Sequence, residues 1–322
     1  MYSLNLYTSK LKSQWDNFIN ISKNGTFLFY RDFLEYHKDR FDDYSILFYK
    51  NDKVIAVLPA NKLKNILYSH KGLTYGGLIL ENKIRFSDVL EIFKLLLFHL
   101  HENNFASLII KEIPEIYNVL PSDEVKYLLH RIDAKLIRRD VLSVIKIGNQ
   151  SYSRDRVQGN KRGKKFKLNV REVSNFEEFW NTILIPNLKS KHGISPVHSL
   201  EEISRLNSFF PKNIRQFNVY LEDRIVAGAT IFETKKTAHV QYISGNEEKN
   251  KLGSLDYLFI YLIEEIFNDK EYFDFGISNE NDGKNINEGL LYWKEGFGAR
   301  TITQDFYEIK TSNYINLDDV MI

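Results

Sequence analysis

The sequence predicts an α/β protein made of two similar halves, each a mixed twisted sheet flanked by helices. Two observations carry that prediction. Short runs rich in Val, Ile, Phe and Tyr alternate with longer stretches of helical apolar spacing. The order helix, helix, hairpin, strand, helix, strand, helix, strand then occurs twice. The chain has 322 residues, is 43% hydrophobic and holds 23 Phe and 19 Tyr, enough for two domains with aromatic-rich cores. The expected division is 1–150, a basic junction at 151–170, and 171–322.

In the first half, Lys10 to Ser22 reads as a helix with Trp15, Phe18 and Ile19 on one side, and Arg31 to Asp39 as a second. "YSILFYKNDKVIAVLPA" reads as a hairpin around Asn51-Asp52-Lys53. "LYSHKGLTYGGLIL" supplies one or two extended segments, its glycines turning the chain. In "SDVLEIFKLLLFHLHENN", Ser87 is the N-cap candidate, and Val89, Leu90, Phe93, Leu96, Leu97 and Leu100 have helical spacing. A buried strand "FASLIIKEI", a helix over Glu124 to Ile132 and a strand "LSVIKI" complete the half.

The second half repeats the pattern. Helices are predicted around Glu177 to Lys191 and Leu200 to Phe209, then a hairpin "FNVYLEDRIVAGATIFE" and a strand "AHVQYIS". "SLDYLFIYLIEEIF" is a helix, "YFDFGIS" a strand, "NEGLLYWKEGF" a helix and "TITQDFYEI" a closing strand. The hairpins overlay: the turn Asn51-Asp52-Lys53 falls on Glu222-Asp223-Arg224.

The absence of Cys excludes disulfides and Cys-ligated metals. Met1-Tyr2-Ser3-Leu4-Asn5 lacks the layout of a signal peptide, and the apolar run Leu95 to Phe98 is far short of the ~20 residues of a membrane span. The expectation is a soluble, cytoplasmic protein with no membrane partner. With 44 basic and 42 acidic residues, the near balance argues against a general nucleic-acid coat. "SRDRVQGNKRGKKFKLNVRE" is the local exception, with Arg154, Arg156, Lys161, Arg162, Lys164, Lys165 and Lys167. It reads either as a solvated face or linker, or as a docking site for phosphates.

"YISGNEEKNKLGSLDYLFIYLIEEIF" passes from strand through a polar loop to an amphipathic helix. Gly253 lets a backbone approach an anion at a helix N-terminus, and Lys249 and Lys251 add charge. The alternative is a plain helix start with Ser254 as N-cap, and Asp256 would repel a phosphate. The first-half counterpart "ENKIRFS" has no Gly. Strand alternation puts His239, Gln241 and Ile243 on one face, and Val240 and Tyr242 on the other. Asp274, Ser278, Asn279, Glu280, Asp282 and Asn285 crowd the end of the next strand, a common place for a site.

This order, with Asn285, Tyr292, Gly296 and Phe297 at their spacing, resembles the GNAT acyltransferase superfamily. "FDFG" followed by "KEGFG" and the duplicated halves resemble its tandem, Fem-like branch, and the likeness covers nearly the whole chain. "NGTFLFYRDFLEYHKDRF", "LPANKLKNILYSHKGLTYGG" and "FDFGISNENDGKNINEGLLYWKEGFGAR" look like FdhC-like nucleotide-amino-sugar N-acyltransferases of bacterial surface-polysaccharide biosynthesis. One departure is clear: the family's phosphate loop survives as Asn250-x-x-Gly253, with Leu255 where a second small residue belongs.

The resemblance implies two tandem GNAT-like domains, the first degenerate and on the acceptor side, the second binding acyl-CoA. It implies N-acylation of a dTDP-type nucleotide-linked amino-dideoxy sugar by direct attack in a ternary complex. Acetyl-CoA or a short hydroxyacyl-CoA is the donor, with no metal and no nucleic acid; a homodimer is left open. Tyr242, Ile243, Lys249, Asn250, Lys251, Leu252, Gly253, Ser254 and Asn285 would contact coenzyme A, the N–H near Ile243 polarising the thioester carbonyl. Tyr292 matches the acid position; His239 is the first candidate base and Glu280 the competing one. His70, Thr74, Tyr75, Gln241, Asn279 and Lys294 are the expected substrate contacts, Lys294 matching a Fem-type Lys-x-x-Phe-Gly. Two other classes stay open: a Fem-type aminoacyl transferase using charged tRNA on a cell-wall precursor, and a non-catalytic tandem-GNAT binding module.

Overall fold

The structure, a computed structural model, describes residues 1–322 apart from the side chains of Lys191 and His192. It divides into two compact units, Met1–Asp140 with Thr303–Ile322, and Val141–Ile302. The sequence puts borders at 150 and 170 and assigns the whole C-terminus to the second half. The difference has a physical cause: the closing strand returns to the first unit, where Phe306 to Lys310 pair antiparallel with Ser107 to Lys111. Nor is 151–170 a linker. Ser153 caps a helix over Arg154–Lys165, accepting a hydrogen bond from the Arg156 N–H.

In the first unit, Tyr2–Leu6, Ile46–Lys50, Lys53–Leu58 and Ile79–Leu80 form an antiparallel sheet in that order. Asn51 and Asp52 take φ of 48° and 65° at the hairpin turn, a left-handed pair that these residue types tolerate best after glycine. In the unit's other strand group, Ser107–Lys111 pairs parallel with Ile66–Tyr68, which continues to Asn61–Leu63 and Asp42–Asp43. The helix Phe86–Glu102 buries Val89, Ile92, Phe93, Leu96, Leu97 and Leu100 completely. Its cap is Arg85 rather than Ser87: the Asp88 carboxylate accepts the Arg85 N–H at 3.3 Å and so sets the start two residues earlier. The second helix is shorter than predicted, Arg31–Leu34. Arg31 is buried there, 3.7 Å over the Tyr7 ring, with Glu35, Ser45 and Asp43 taking its N–H groups.

In the second unit the strand order is Asn169–Val173, Ile214–Leu221, Arg224–Glu233, Thr237–Gly245 and Tyr272–Ile277, with residues 142–146 beyond. All neighbours are antiparallel except Thr237–Gly245 with Tyr272–Ile277. A parallel pair needs a crossover, here the helical run 249–266. Its Phe259 ring meets those of Phe273, Phe275, Trp293 and Phe297 at centroid distances of 6.0, 5.2, 5.4 and 6.0 Å. That cluster ties the crossover to the strand and helix that follow it. Leu200–Phe209 begins with a capping box between Ser199 and Glu202, with bonds of 3.1 and 2.8 Å. Among the described residues no helix is long and apolar enough to cross a membrane.

The first unit buries two imidazoles, His37 and His70, with ring centroids 5.1 Å apart. Burial pushes their pKa values down to about 4 and about 3. Both are neutral in the fold, while the unfolded chain takes up their protons below about pH 6.5. The unfolded state then binds more protons, so stability is full above about pH 6.5 and falls toward pH 4, by about 1.4 kcal/mol per unit per histidine. Urea unfolding across that range should show this slope, and His70→Asn, which keeps a left-handed-tolerant residue at φ 66°, should flatten it.

Candidate active site

The parallel strands touch at three positions only: Thr237 with Tyr272, Ala238 with Phe273, His239 with Asp274. Two local features end the pairing. Gln241 is an extra residue between Val240, opposite Ile231, and Tyr242, opposite Thr230, and such a bulge bends its strand. On the other strand Gly276 takes φ +71°. A cavity of about 720 Å³ lies along the released end of the first strand, against Ile243, Ser244 and Gly245. Lys249, Asn250 and Asp256 from the crossover, and Asn287, Leu290 and Trp293 from the later helix, form further walls.

The loop resolves into two helical pieces. Lys249–Leu252 is one turn, closed by Gly253 at φ 67°, and Ser254–Tyr261 follows at once. The Gly253 N–H is bonded to the Lys249 carbonyl at 2.8 Å. A Cβ on Gly253 would lie 2.1 Å from the Gly159 carbonyl oxygen, so the glycine serves a helix cap and a close backbone approach. Leu252 and Ser254 are buried, and Lys251 is exposed beside Glu248. Of the predicted coenzyme-contacting residues, Ile243, Lys249 and Asn250 line the cavity. The Tyr242 side chain turns away, its hydroxyl 2.6 Å from His198 Nδ1 and its ring against Trp180. Asn285 is exposed in a small hairpin, where it accepts from Asn281 at 2.9 Å.

The basic stretch supplies a wall. The helix Arg154–Lys165 packs on Ser254–Tyr261 through Gly159 and Gly163, where a Cβ would strike Asp256 and Tyr257. Arg156 and Arg162 line the cavity. Arg156 Nη1 donates to Asp256 at 2.6 Å, and Trp293 Nε1 to the same oxygen at 3.2 Å. Burial raises the Asp256 carboxyl, and the Arg156 charge works against that shift. The Asp256 charge is therefore matched from within, and Arg156 Nε remains buried with no partner among the described residues.

At the parting point, His239 Nδ1 lies 2.8 Å from Asp274 Oδ2. Asp274 is fully buried, and its other oxygen accepts the Gly276 N–H at 2.7 Å. A carboxylate on Nδ1 favours the tautomer with its lone pair on Nε2. A side chain on Gly276 would press on this ring, with a Cβ 3.2 Å from His239 Cε1. Lys294 is no surface lysine: its ammonium is buried and donates to the carbonyls of Gly276 and Ile277 at 3.1 and 2.6 Å. Burial pushes its pKa down to about 8.

The other predicted residues are scattered. Tyr292 is 62% exposed and donates to Asp155 at 3.1 Å, while Leu290 and Trp293 beside it face the cavity. Glu280 is exposed and accepts from Asn287 at 2.8 Å. Asn279 accepts the Val141 N–H at 2.6 Å, a structural bond. Gln241 Oε1 is buried with no partner among the described residues. In the first unit, Tyr75 is buried and donates to Thr26 at 3.1 Å, His70 lies beside His37, and the Thr74 carbonyl accepts from Gln304. Sequence reasoning missed Asn287 and Trp293 as cavity walls; Arg156 entered it only within a stretch read as linker or phosphate dock, and Asp256 only as a charge repelling a phosphate. Asn287 had a readable signal, an Asn just before a helix; its Oδ1 accepts the Leu290 N–H at 2.9 Å.

Residues 189–285 match the family described as an acetyltransferase (GNAT) domain. No curated protein matches the chain. Among solved structures, FemX is similar at a TM-score of 0.67 and 12% identity, covering 98% of this chain and 99% of that one. A conserved protein of unknown function from Bacteroides thetaiotaomicron gives 0.57 at 10% identity, over 96% and 100%. The C-terminal domain of a putative lysylphosphatidylglycerol synthetase from Agrobacterium fabrum gives 0.56 at 11% identity, over 86% and 88%. The fold is thus a tandem GNAT-like one of the FemX type. The match of residues 189–285, within the second unit, to a GNAT acetyltransferase domain supports a GNAT acyltransferase.

Gly253→Ala should lower stability by about 2 kcal/mol or more, because it adds both a left-handed strain and a backbone clash. Urea midpoints check this. An unchanged midpoint with lost coenzyme A affinity would return Gly253 to a phosphate-contacting role.

Proposed function

We propose that the protein is an acyl-CoA-dependent N-acyltransferase whose acceptor is the amine of a dTDP-type nucleotide-linked amino-dideoxy sugar. The observation that carries the reading is the cavity beside the parted strands, with Arg156, Arg162 and Lys249 in its walls. Arg162 and Lys249, beside the Arg156–Asp256 pair, and the strand edge open toward the groove suit an anionic, elongated donor. The sugar acceptor rests on the FdhC-like sequence resemblance.

Acyl-CoA supplies a thioester, whose carbonyl carbon takes the amine nitrogen as coenzyme A leaves as the thiol. The chain's residues have three tasks. The backbone near Ile243, paired with Ala229 on one side and released from Tyr272–Ile277 on the other, holds the carbonyl oxygen. His239 takes the amine proton at Nε2, and Asp274 stabilises the imidazolium that results. His239 is preferred to Glu280, whose exposed carboxylate is bonded to Asn287. Tyr292 donates to Asp155 and stands outside the cavity lining, so the leaving thiolate takes its proton from solvent. Lys294 keeps the carbonyls of Gly276 and Ile277 in place beside the dyad. The Fem-like sequence resemblance leaves a second reading, aminoacyl transfer from charged tRNA, which the formal charge of +2 disfavours.

Purified protein given an acyl-CoA and a panel of nucleotide amino sugars should release free thiol. No release, together with no coenzyme A binding by calorimetry, overturns the proposal; salt-sensitive binding of charged tRNA supports the second reading. His239→Ala should lower turnover by about 10²- to 10⁴-fold with little change in coenzyme A affinity, and Asp274→Asn should follow it. Normal turnover in both removes the dyad from the mechanism.

A further inference from the structure

The first unit holds a chamber of its own, between the strands Ile79–Leu80 and Ser107–Lys111, which belong to different strand groups. It offers about 40 Å³ to water-sized groups. At roughly 10–15 Å³ for each, that is room for about three heavy atoms. Gly76 and Gly77 form one side, Gly77 at φ +121°, a backbone only glycine adopts freely. Leu78, Leu80, Ile110 and Val125 give it apolar walls.

Six polar residues line the same space: Asn24, whose amide is bonded to Leu78 and Leu80, the Asp123–Lys126 pair, and Asn118, Ser122 and Glu112. Asn118 is 7% exposed, and its Oδ1 is buried with no partner among the described residues. Ser122 Oγ is in the same condition. A native fold rarely leaves two such atoms without a ligand or water. The charges nearby are matched among themselves. Lys126 pairs with Asp123 at 2.9 Å, Arg139 with Asp305 at 2.6 Å, and Lys23 with Glu124. No ion pair among the described residues reaches the Glu112 carboxyl.

We infer that this chamber is a binding site for a primary alkylammonium group, with Asn118 Oδ1, Ser122 Oγ and the Glu112 carboxylate accepting its three N–H bonds. An ammonium has three donors and no acceptor, which matches this set. The apolar walls take the first one or two carbons of its stem. With Glu112 and Asp123 set against the single cation Lys126, the walls carry a net negative charge, which favours an ammonium over a phosphate, a carboxylate or a neutral hydroxyl. Burial holds the Glu112 carboxyl up at about 7; Lys126 and Arg139 pull it down, and Asp305 and Asp123 push it up. A bound cation would bring it back toward the ordinary range. The site lies wholly within the first unit and does not rest on the acyl-transfer reading.

The test uses the full chain without any acyl donor. Ethylammonium is titrated by saturation-transfer NMR, with ethanol as the neutral counterpart. Ethylammonium should bind saturably and ethanol should not. Glu112→Gln and, separately, Asn118→Leu should each weaken binding at least about tenfold with melting temperatures near wild type. In the unmodified protein, ethylammonium should shift the Glu112 carboxyl ¹³C signal and lower its titration midpoint, a readout that needs no variant. Equal binding of ethanol, undiminished binding by Glu112→Gln, or no saturable binding of ethylammonium would each overturn the site and leave a water-filled chamber.

Discussion

The second unit depends on two strands that pair for three residues and then separate. Each strand leaving a sheet carries N–H and C=O groups that must find other partners. The structure answers this separately on each side. Lys294 takes the carbonyls of Gly276 and Ile277, and Asp274 takes the Gly276 N–H. The buried Asp274 carboxylate in turn needs a partner, which His239 provides from the last paired register position. On the other side, the edge from Ile243 to Gly245 is left to the cavity. The proton-handling pair and the open backbone thus follow from a single break in the sheet.

Charge is arranged around that break with the same economy. The formal charge of the chain is only +2, yet the helix Arg154–Lys165 is strongly basic. Its charges are not equivalent. Arg156 is turned in and tied to Asp256, with the Trp293 and Phe297 rings 5.9 and 5.6 Å from its guanidinium. Removing either member of a buried pair of this kind costs about 3–5 kcal/mol, because it strands the other. Lys161, Lys164 and Lys165 stay in solvent. The helix therefore has a structural cation, Arg156, a further cavity cation, Arg162, and surface cations within three turns.

Much of the fold was legible because it is local. The hairpins, the helix Leu200–Phe209 and the burial of Trp15, Phe18 and Ile19 follow from periodicity and turn chemistry. What the sequence could not convey is partnership at a distance. The Arg156 to Asp256 contact spans 100 positions, and the return of Thr303–Ile322 to the first unit spans more. Site residues read from alternation were upset by the bulge. Because Gln241 is an extra residue, His239, opposite Phe232, falls on the same face as Tyr242, opposite Thr230, which packs on His198 and Trp180, while Ile243, opposite Ala229, joins Val240 on the other. Asn285 was two places from the cavity residue, Asn287, because the short pairing of Asn279–Glu280 with Asn285–Ile286 uses up the intervening chain. Gly253 was conspicuous as a phosphate contact and serves as a helix cap, while its neighbour in space, Gly159, gave no sign in a run of polar residues.

That glycine contact has a hereditary side. Gly159 and Gly253 meet backbone to backbone, and a methyl group at Gly253 would reach the Gly159 carbonyl oxygen at 2.1 Å. At Gly159 the same methyl would reach Asp256 at 1.7 Å, a carboxylate already fixed by Arg156 and Trp293. Neither position has a neutral single step open to it, and a change at one does not make room at the other. Descendants of this chain can drift at Lys161, Lys164 or Lys165 and keep the helix. They can alter the two glycines only by moving the helix itself, and with it the wall that carries Arg156 and Arg162.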